Sequence, residues 1–305
     1  LTDDAAVLSP RDGQDLVMTK DMLAAGAHFF PDDPADAIAQ KALRVNLSDL
    51  AAKGARPRGY LLGLGLPDNW TPDWLERYCA GLAADQEAYN VVLLGGDTIS
   101  CRNGLQISIT AVGEVPKGKA VRRSGAQPGD VLFVTGTIGD GAGGLQCRLD
   151  ANFQVNQGLA PEDAAHLAGR YLLPRPRVNI ADLLVTYASA AMDISDGLFA
   201  DAGHMARASK ADVKIDLDTV PVSAALQAIR QSDSDCFLRL INGGDDYEIL
   251  AAVPAGLAGA FENEASAVEC PVTRIGTVLE GGGHVSATID GTAVQLAEQG
   301  GFRHF

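Results

Sequence analysis

The sequence lacks the features that mark secreted, zinc-binding or nucleic-acid-binding proteins. Its five cysteines form no CxxC pair, which argues against both a disulfide framework and a zinc knuckle. It has no lysine and arginine run, and its net charge of -15 would repel a nucleic-acid backbone. No apolar segment approaches the ~20 residues of a membrane helix, and the N-terminus has no basic-then-apolar signal pattern. These absences predict a cytoplasmic protein that binds neither nucleic acid nor a membrane.

The composition is that of a folded protein with an acidic surface. The chain has 305 residues, of which 47% are hydrophobic, and this is enough for two domains with real cores. It begins at "LTDDAAVL", so we expect residues of the full protein to precede Leu1. An acidic protein can still bind a phosphorylated small molecule when divalent cations bridge its carboxylates to phosphate.

Local patterns predict helices and strands without a regular alternation. Asp33 as the N-cap, Pro34 in the first turn and Gly54 at the end predict a helix between them. Short apolar runs predict strands at "VVLL" and "YEILAAV". The turn formers of "RRSGAQPGD" predict a boundary near residue 124, which divides the chain into domains 1–124 and 125–305. The fold class is therefore α+β or mixed α/β, and not a Rossmann fold.

Aspartates beside glycines or at element ends give the strongest chemical signal. They occur in "TDDAA", "KDML", "NLSD", "GGDT", "DISDG" and "GGDDYE". Glycine lets a backbone approach a ligand, and an adjacent carboxylate can reach a metal that the ligand shares. Each motif alone also has an ordinary explanation: Asp49 can pair with Lys53 along a helix, and Asp196 can cap one. Six such motifs in one chain favour a shared polycarboxylate metal site.

Together these motifs resemble those of the thiamine-monophosphate kinase family, which belongs to the aminoimidazole ribonucleotide synthetase superfamily. The matching segments run in the family's order and include "TKDMLAAGAHF", "KALRVNLSDLAAKGA", "LLGGDT", "MDISDGL" and "GGDDYEI". The resemblance implies a two-domain aminoimidazole ribonucleotide synthetase-like fold. It implies ATP-dependent phosphorylation of thiamine monophosphate to thiamine diphosphate with Mg²⁺, the final step of thiamine diphosphate biosynthesis. It also implies a homodimer whose N-terminal domains pair.

The resemblance also assigns roles to the matched residues. The implied metal ligands are Asp4, Thr19, Asp21, Asp49, Asp97 and Asp193, with Asp196 contributing to another metal. Asp49, Asp97 and Asp193 are expected to be essential for catalysis. The residues expected to hold ATP are Gly96, Arg123 and Ser195, and those expected to contact thiamine monophosphate are His28, Asp245 and Phe302. Without the resemblance, His28 also fits a half-buried histidine at a strand end, and Phe302 fits an aromatic that packs the tail.

Two residues depart from the family pattern. Lys20 stands where many relatives carry threonine beside the metal-binding aspartate, so one metal contact is lost or replaced by a contact between lysine and phosphate. Asp245 replaces a more usual glutamate and is shorter by one methylene.

Two alternative functions remain open from the sequence. One is another ATP-using enzyme of the superfamily, of the selenophosphate or aminoimidazole ribonucleotide synthetase type. The other is a non-catalytic nucleotide or thiamine-phosphate sensor, which would bind without turnover.

Overall fold

The computed structural model describes residues 5–294, which fold around two β-sheets. The strands are β1 (Gln14–Ala24), β2 (Arg56–Leu66), β3 (Val92–Ser100), β4 (Gln106–Pro116), β5 (Val131–Thr135), β6 (Ala190–Ile194), β7 (Asp212–Asp216), β8 (Glu248–Val253), β9 (Val272–Leu279), β10 (Val285–Ile289) and β11 (Thr292–Val294). The helices are α1 (Ala35–Ala52), α2 (Pro72–Tyr89), α3 (Asp140–Leu149), α4 (Phe153–Asn156), α5 (Pro161–Leu172), α6 (Ala181–Tyr187), α7 (Leu198–Ser209), α8 (Ala224–Ser232), α9 (Ser234–Ile241) and α10 (Ala258–Ala267). Short 3₁₀ helices, Val178–Ile180 and Ala255–Leu257, precede α6 and α10.

The N-terminal sheet has the strand order β1-β4-β2-β3 and is covered by α1 on one face. Strand alternation turns Leu23, Ile107 and Ile109 toward that helix, where they pack with Leu43 and Leu47 in a buried core. β1, β4 and β2 are antiparallel neighbours, and β3 pairs parallel to β2. The side chains that matter for the site project from this sheet and from α1.

The helix predicted after Asp33 is present, but its start differs from the prediction. Pro34 occupies the N-cap position, and Asp33 instead accepts a 2.9 Å hydrogen bond from the backbone N–H of Phe30. Asp33 therefore stabilises the turn before the helix and does not cap it. At the other end, Gly54 follows the last turn with φ +71°, a left-handed conformation that favours glycine.

No helix or strand of residues 5–294 covers the opposite face of the N-terminal sheet. Its register places Met22, Ser108, Gly63 and Asp97 side by side across the four strands, and all of them face away from α1. Large hydrophobic side chains are exposed on this face: Leu16, Met18, Met22, Leu61, Val92 and Ile99. We call this surface the open face.

The C-terminal sheet has the order β11-β10-β7-β9-β5-β8-β6 and is mostly antiparallel, with β10 parallel to β7. Its two faces lie in separate apolar cores, one of which includes Ala51 and Ala52 at the end of α1. α1 therefore packs between the two sheets, so that its polar residues meet the ends of β1 and β6. The mixture of antiparallel sheets and helices confirms the predicted α+β class.

Residues 5–294 contain neither a membrane-spanning helix nor a disulfide. Every helix in this range is too short or too polar to cross a membrane. All five cysteines lie in the range and are free thiols.

Candidate active site

Three predicted carboxylates meet where β1, α1 and β6 come together. Thr19 and Asp21 alternate onto the α1 side of β1, and the Thr19 hydroxyl donates a hydrogen bond to Asp49. The Asp21 backbone N–H donates to Asn46 Oδ1 at 3.1 Å. Asp193, at the end of β6, accepts a 2.8 Å hydrogen bond from the Ser48 hydroxyl. We call Asp21, Asp49 and Asp193 the acid cluster.

The acid cluster is electrostatically unfavourable when all three groups are ionised. Burial, with the Asp49 charge as the second cause, raises the pKa of Asp21 to about 6. Burial and then Asp49 also raise the pKa of Asp193 well above its ordinary value. Asp49 is therefore a charged neighbour of both Asp21 and Asp193. The positive charge around these carboxylates is too small to balance their negative charge. A hard divalent cation with oxygen ligands would supply that charge.

Within one chain, the structure does not bring Asp97 to the acid cluster. Asp97 is exposed on β3, and its cross-strand neighbours place it on the open face. The acid cluster lies on the other side of the same sheet, beside the opposite edge strand β1. The role of Asp97 as a metal ligand therefore stays a prediction, and it requires an approach that one chain alone does not provide.

Lys20 and Gly96 also lie away from the acid cluster. Lys20 alternates onto the open face, where its ammonium donates a hydrogen bond to the Ser108 hydroxyl. Gly96 lies in β3 so close to β2 that an added Cβ would be 2.1 Å from the carbonyl oxygen of Leu62. Close pairing of these two strands is thus one reason for glycine at 96, and its contact with ATP stays a prediction.

The loop after β6 and the first turns of α7 hold a second cluster of polar residues. Asp201 Oδ2 accepts backbone N–H bonds from Ser195, Asp196 and Gly197 at 3.0–3.2 Å, which orders the start of α7. Ligand atoms of Asp196, Asp201 and His204 lie within 4.8 Å of one another. Burial first, and then the Asp196 charge, raise the pKa of Asp201 to about 7. Asp196 thus lies with Asp201 and His204 and not in the acid cluster, and its role at another metal stays a prediction.

Cationic side chains lie near the acid cluster and near the cluster of Asp196, Asp201 and His204. The Lys53 ammonium donates to the Ala191 carbonyl at 2.9 Å, and burial lowers the pKa of Lys53. The Arg123 charge lowers the pKa of Lys53 further and also contributes to the lowered pKa of His204, whose main cause is burial. The Arg123 guanidinium is therefore close enough to Lys53 and to His204 to act on both electrostatically.

The glycines of "DISDG" and "GGDD" let two loops pack against each other. Gly197 has φ +116°, and an added Cβ would be 2.4 Å from the Asn242 carbonyl oxygen. Gly244 has φ +82°, and its added Cβ would be 2.3 Å from the Ser195 carbonyl oxygen. The space that these glycines leave is therefore filled by backbone.

This packing predicts the effect of a side chain at Gly197. Gly197→Ala should lower the free energy of unfolding by about 2 to 4 kcal/mol, because it combines backbone strain with a clash. The matched control is Gly169→Ala, in α5, where an added Cβ meets nothing within 4 Å. That substitution should be neutral or stabilise the protein by up to about 1 kcal/mol. Equal urea denaturation midpoints for the two variants would contradict this prediction.

A cavity of about 180 Å³ adjoins the acid cluster and contains two of the three predicted substrate residues. It is lined by His28 and Asp245, by Asp21 of the acid cluster, and by Ser195 and Asp196 of the loop after β6. His28 Nδ1 accepts a 3.1 Å hydrogen bond from the backbone N–H of Ala24, which puts the proton of a neutral ring on Nε2. The cavity thus joins a heterocycle-sized space to the acid cluster.

Three polar residues of this cavity were not predicted from the sequence: Lys41, Tyr171 and Tyr247. Lys41 Nζ lies 3.1 Å from Asp245 Oδ2, and the Tyr247 hydroxyl donates to Asp245 Oδ1 at 3.1 Å. The sequence contains one indication that Lys41 faces the site: Lys41, Val45 and Ser48 share a face of the predicted helix.

The remaining acids of "GGDDYE" are structural. Asp246 accepts N–H bonds from Gly139 and Gly141 at the start of α3, and burial is the main cause that raises its pKa to about 8. Glu248 is fully buried between Arg170 and Arg177. Of the acids in this motif, Asp245 alone lines the cavity. Two other predicted residues, Asp4 and Phe302, lie outside the described residues.

Comparisons with known proteins match nearly the whole chain. Residues 2–115 match the family model "AIR synthase related protein, N-terminal domain", and residues 127–288 match "AIR synthase related protein, C-terminal domain". The thiamine-monophosphate kinase of Caulobacter vibrioides is 43% identical over 303 residues, which cover 98% of this chain and 84% of that protein.

Solved structures agree with these matches. The thiamine-monophosphate kinase from Stenotrophomonas maltophilia K279a is 39% identical with a TM-score of 0.84, covering 96% of this chain and 90% of that one. A structure described as "AaThiL complexed with AMPPCP and TMP" is 32% identical with a TM-score of 0.82, covering 97% and 89%.

Proposed function

The chain belongs to the thiamine-monophosphate kinase family of AIR synthase-related proteins, and we propose that it transfers the γ-phosphate of ATP to thiamine monophosphate. The products are thiamine diphosphate and ADP. One observation carries the proposal: Asp21 belongs to the acid cluster and also lines the cavity that contains His28 and Asp245. The phosphate of a substrate held there would face the carboxylates. The related structure with AMPPCP and TMP supports ATP as the co-substrate.

We propose Mg²⁺ as the metal, held by the acid cluster together with Thr19. The donor set fits, because these are oxygen ligands and the raised pKa values of Asp21 and Asp193 indicate carboxylates that lack compensation. When bound, the cation neutralises the crowded phosphates of the two substrates. Asp196 would serve a separate ion.

The protein's own part in the reaction is positioning. Arg123 and Ser195 hold the polyphosphate near the acid cluster, while His28 and Asp245 orient the other substrate so that its phosphate oxygen lies in line with the γ-phosphorus. Transfer is direct, without a phosphorylated enzyme intermediate. Radiolabelled phosphate trapped covalently on the protein during turnover would contradict that step.

A chromatographic assay of the purified protein tests the reaction. With ATP, Mg²⁺ and thiamine monophosphate we expect thiamine diphosphate and ADP in equal amounts, and EDTA should abolish both. ATP binding without thiamine diphosphate formation would overturn the proposal and favour another enzyme of the superfamily or a sensor.

We also propose that the protein is a homodimer paired through the open face. Six large hydrophobic side chains are exposed there on a four-stranded sheet, and a second copy would cover them. We further propose the domain division near residue 124, which lies between β4 and β5, and a cytoplasmic location, where ATP is available and free thiols persist.

A charge on the open face should prevent pairing. Met18 is 70% exposed on the open face, near the middle of the edge strand β1, so Met18→Asp should sediment as a monomer at concentrations where the unsubstituted protein is a dimer. Val155→Asp is the matched control, because Val155 is 79% exposed on α4 in the other half of the chain. If Met18→Asp remains a dimer, the pairing surface lies elsewhere.

A further inference from the structure

Recognition of the heterocyclic end of the substrate depends on how Asp245 is held. We propose that Lys41 is a positioning residue, which orients the Asp245 carboxylate to accept a hydrogen bond from the exocyclic amino group of the substrate's pyrimidine. This inference rests on the proposed function and adds to it a determinant of substrate specificity.

The contacts around Asp245 define the direction of its carboxylate. Lys41 reaches across from α1 and is 2% exposed; its ammonium lies 3.1 Å from Asp245 Oδ2. The Tyr247 hydroxyl donates to Oδ1 at 3.1 Å. Each carboxylate oxygen therefore has one donor from the protein and keeps a second acceptor direction. The Asp245 side chain is 27% exposed and lines the cavity, so a ligand can use that direction.

Lys41 is itself fixed in place. Its ammonium lies 3.6 Å from the centroid of the Tyr171 ring, a cation–π contact that holds it over the cavity wall. The Tyr171 hydroxyl donates to the His28 carbonyl at 3.4 Å, which links the same ring to the other substrate residue. Lys41, Tyr171, Asp245 and His28 thus form one connected wall.

The backbone at Asp245 is also constrained. Asp245 and Tyr247 have φ values of +62° and +52°, which non-glycine residues rarely adopt. Hydrogen bonds from their N–H groups to the carbonyls of Ser195 (2.9 Å) and Ile194 (2.8 Å) hold this conformation. Unfavourable backbone conformations of this kind persist where the surroundings fix them and cluster at ligand sites.

The charges indicate which part of the substrate Asp245 recognises. Lys41 and Asp245 form a pair with no net charge, so the carboxylate is a poor counter-ion for the cationic thiazolium ring. It is a good directional acceptor for an uncharged N–H group, and the aminopyrimidine offers one. The substrate phosphate would meanwhile lie at the Asp21 end of the cavity.

A purely structural role is the alternative for Lys41, since it ties the N-terminal half of the chain to the C-terminal half. Arg148 makes a comparable tie: it lies 2.9 Å from the buried Asp33, and it does not line the cavity. Arg148→Met is therefore the matched control. A structural role predicts similar KM values for thiamine monophosphate in Lys41→Met and Arg148→Met. A positioning role predicts a raised KM in Lys41→Met only.

The first test measures steady-state constants. Lys41→Met should raise KM for thiamine monophosphate about 10- to 100-fold, the range for a lost hydrogen bond to a charged group, and leave the dissociation constant of an ATP analogue unchanged. Asp245→Asn should act similarly, and the double variant should be no worse than the more impaired single variant. Arg148→Met should leave KM unchanged. An unchanged KM in Lys41→Met, or additive effects in the double variant, would overturn the inference.

The second test uses an analogue in which a carbonyl oxygen replaces the pyrimidine amino group, oxythiamine monophosphate. The unsubstituted protein should prefer the natural substrate, and Lys41→Met should lose that preference while Arg148→Met keeps it. If Lys41→Met fails to fold, Lys41→Arg replaces it and should show a reduced preference. A preference unchanged in the Lys41 variant would contradict the inference. Failure of the unsubstituted protein to make thiamine diphosphate would instead contradict the proposed function.

Discussion

Asp49→Asn should lower kcat by about 10²- to 10³-fold and yet raise the melting temperature of the metal-free protein at pH 8. Turnover falls because the acid cluster loses the carboxylate that neighbours both of the others. Stability rises because Asp49 contributes to the raised pKa of both Asp21 and Asp193. An asparagine still accepts the hydrogen bond from Thr19, so the local structure is kept.

The stabilising effect should depend on pH in a definite direction. The pKa of Asp21 is about 6 in the folded protein against an ordinary 3.8, so the folded state binds more protons than the unfolded state between these values. Stability of the metal-free protein therefore falls as pH rises from about 4 to 6, by about 3 kcal/mol for Asp21 alone. Asp193, whose pKa is also raised, extends this trend. The gain from Asp49→Asn should thus be largest above pH 6 and fade toward pH 4.

Melting curves with EDTA and with Mg²⁺, between pH 4 and pH 8, measure this effect. Mg²⁺ should stabilise the unsubstituted protein more at pH 8 than at pH 5, and should stabilise Asp49→Asn less at both. Asp36→Asn is the control, since Asp36 is exposed in the first turn of the same helix and should change neither kcat nor the Mg²⁺ effect. Full activity of Asp49→Asn, or a lower metal-free melting temperature at pH 8, would contradict the metal site.

The acid cluster could be predicted from the sequence because its members lie at simple positions in regular elements. Thr19 and Asp21 are two residues apart on a strand and so share a face, and the same alternation puts Lys20 on the other face. The resemblance compared Lys20 with a threonine beside the metal-binding aspartate, and that comparison did not show that Lys20 faces the other side of the sheet. Lys20 instead bonds to Ser108 on the open face.

Features set by long-range packing could not be predicted in the same way. The face occupied by Asp97 depends on the register of β3 against β2, which includes a bulge between Tyr60 and Leu61. The contact of Lys41 with Asp245 joins residues 204 positions apart. In "GGDDYE", sequence proximity cannot separate Asp245, which lines the cavity, from Asp246, which orders the start of α3.

Asp97→Asn and Asp49→Asn should each be nearly inactive, and a mixture of the two after subunit exchange should recover about a quarter of the normal activity. Within one chain, Asp97 lies across the sheet from the acid cluster, on the face that we propose pairs with a second copy. If Asp97 serves the partner's acid cluster, each mixed dimer contains one intact site and one doubly substituted site. Random pairing makes half of the dimers mixed, and half of their sites are then active.

The control mixture combines Asp49→Asn with Asp193→Asn. Both residues belong to the acid cluster of a single chain, so every site in their mixed dimer lacks one carboxylate and no activity should return. The same chains carrying two different affinity tags allow the mixed dimer to be purified, and its activity should be about half of normal. Recovery in the first mixture only would establish a site shared between two copies. Absence of recovery in both would confine Asp97 to its own chain, and normal activity of Asp97→Asn alone would remove it from the site.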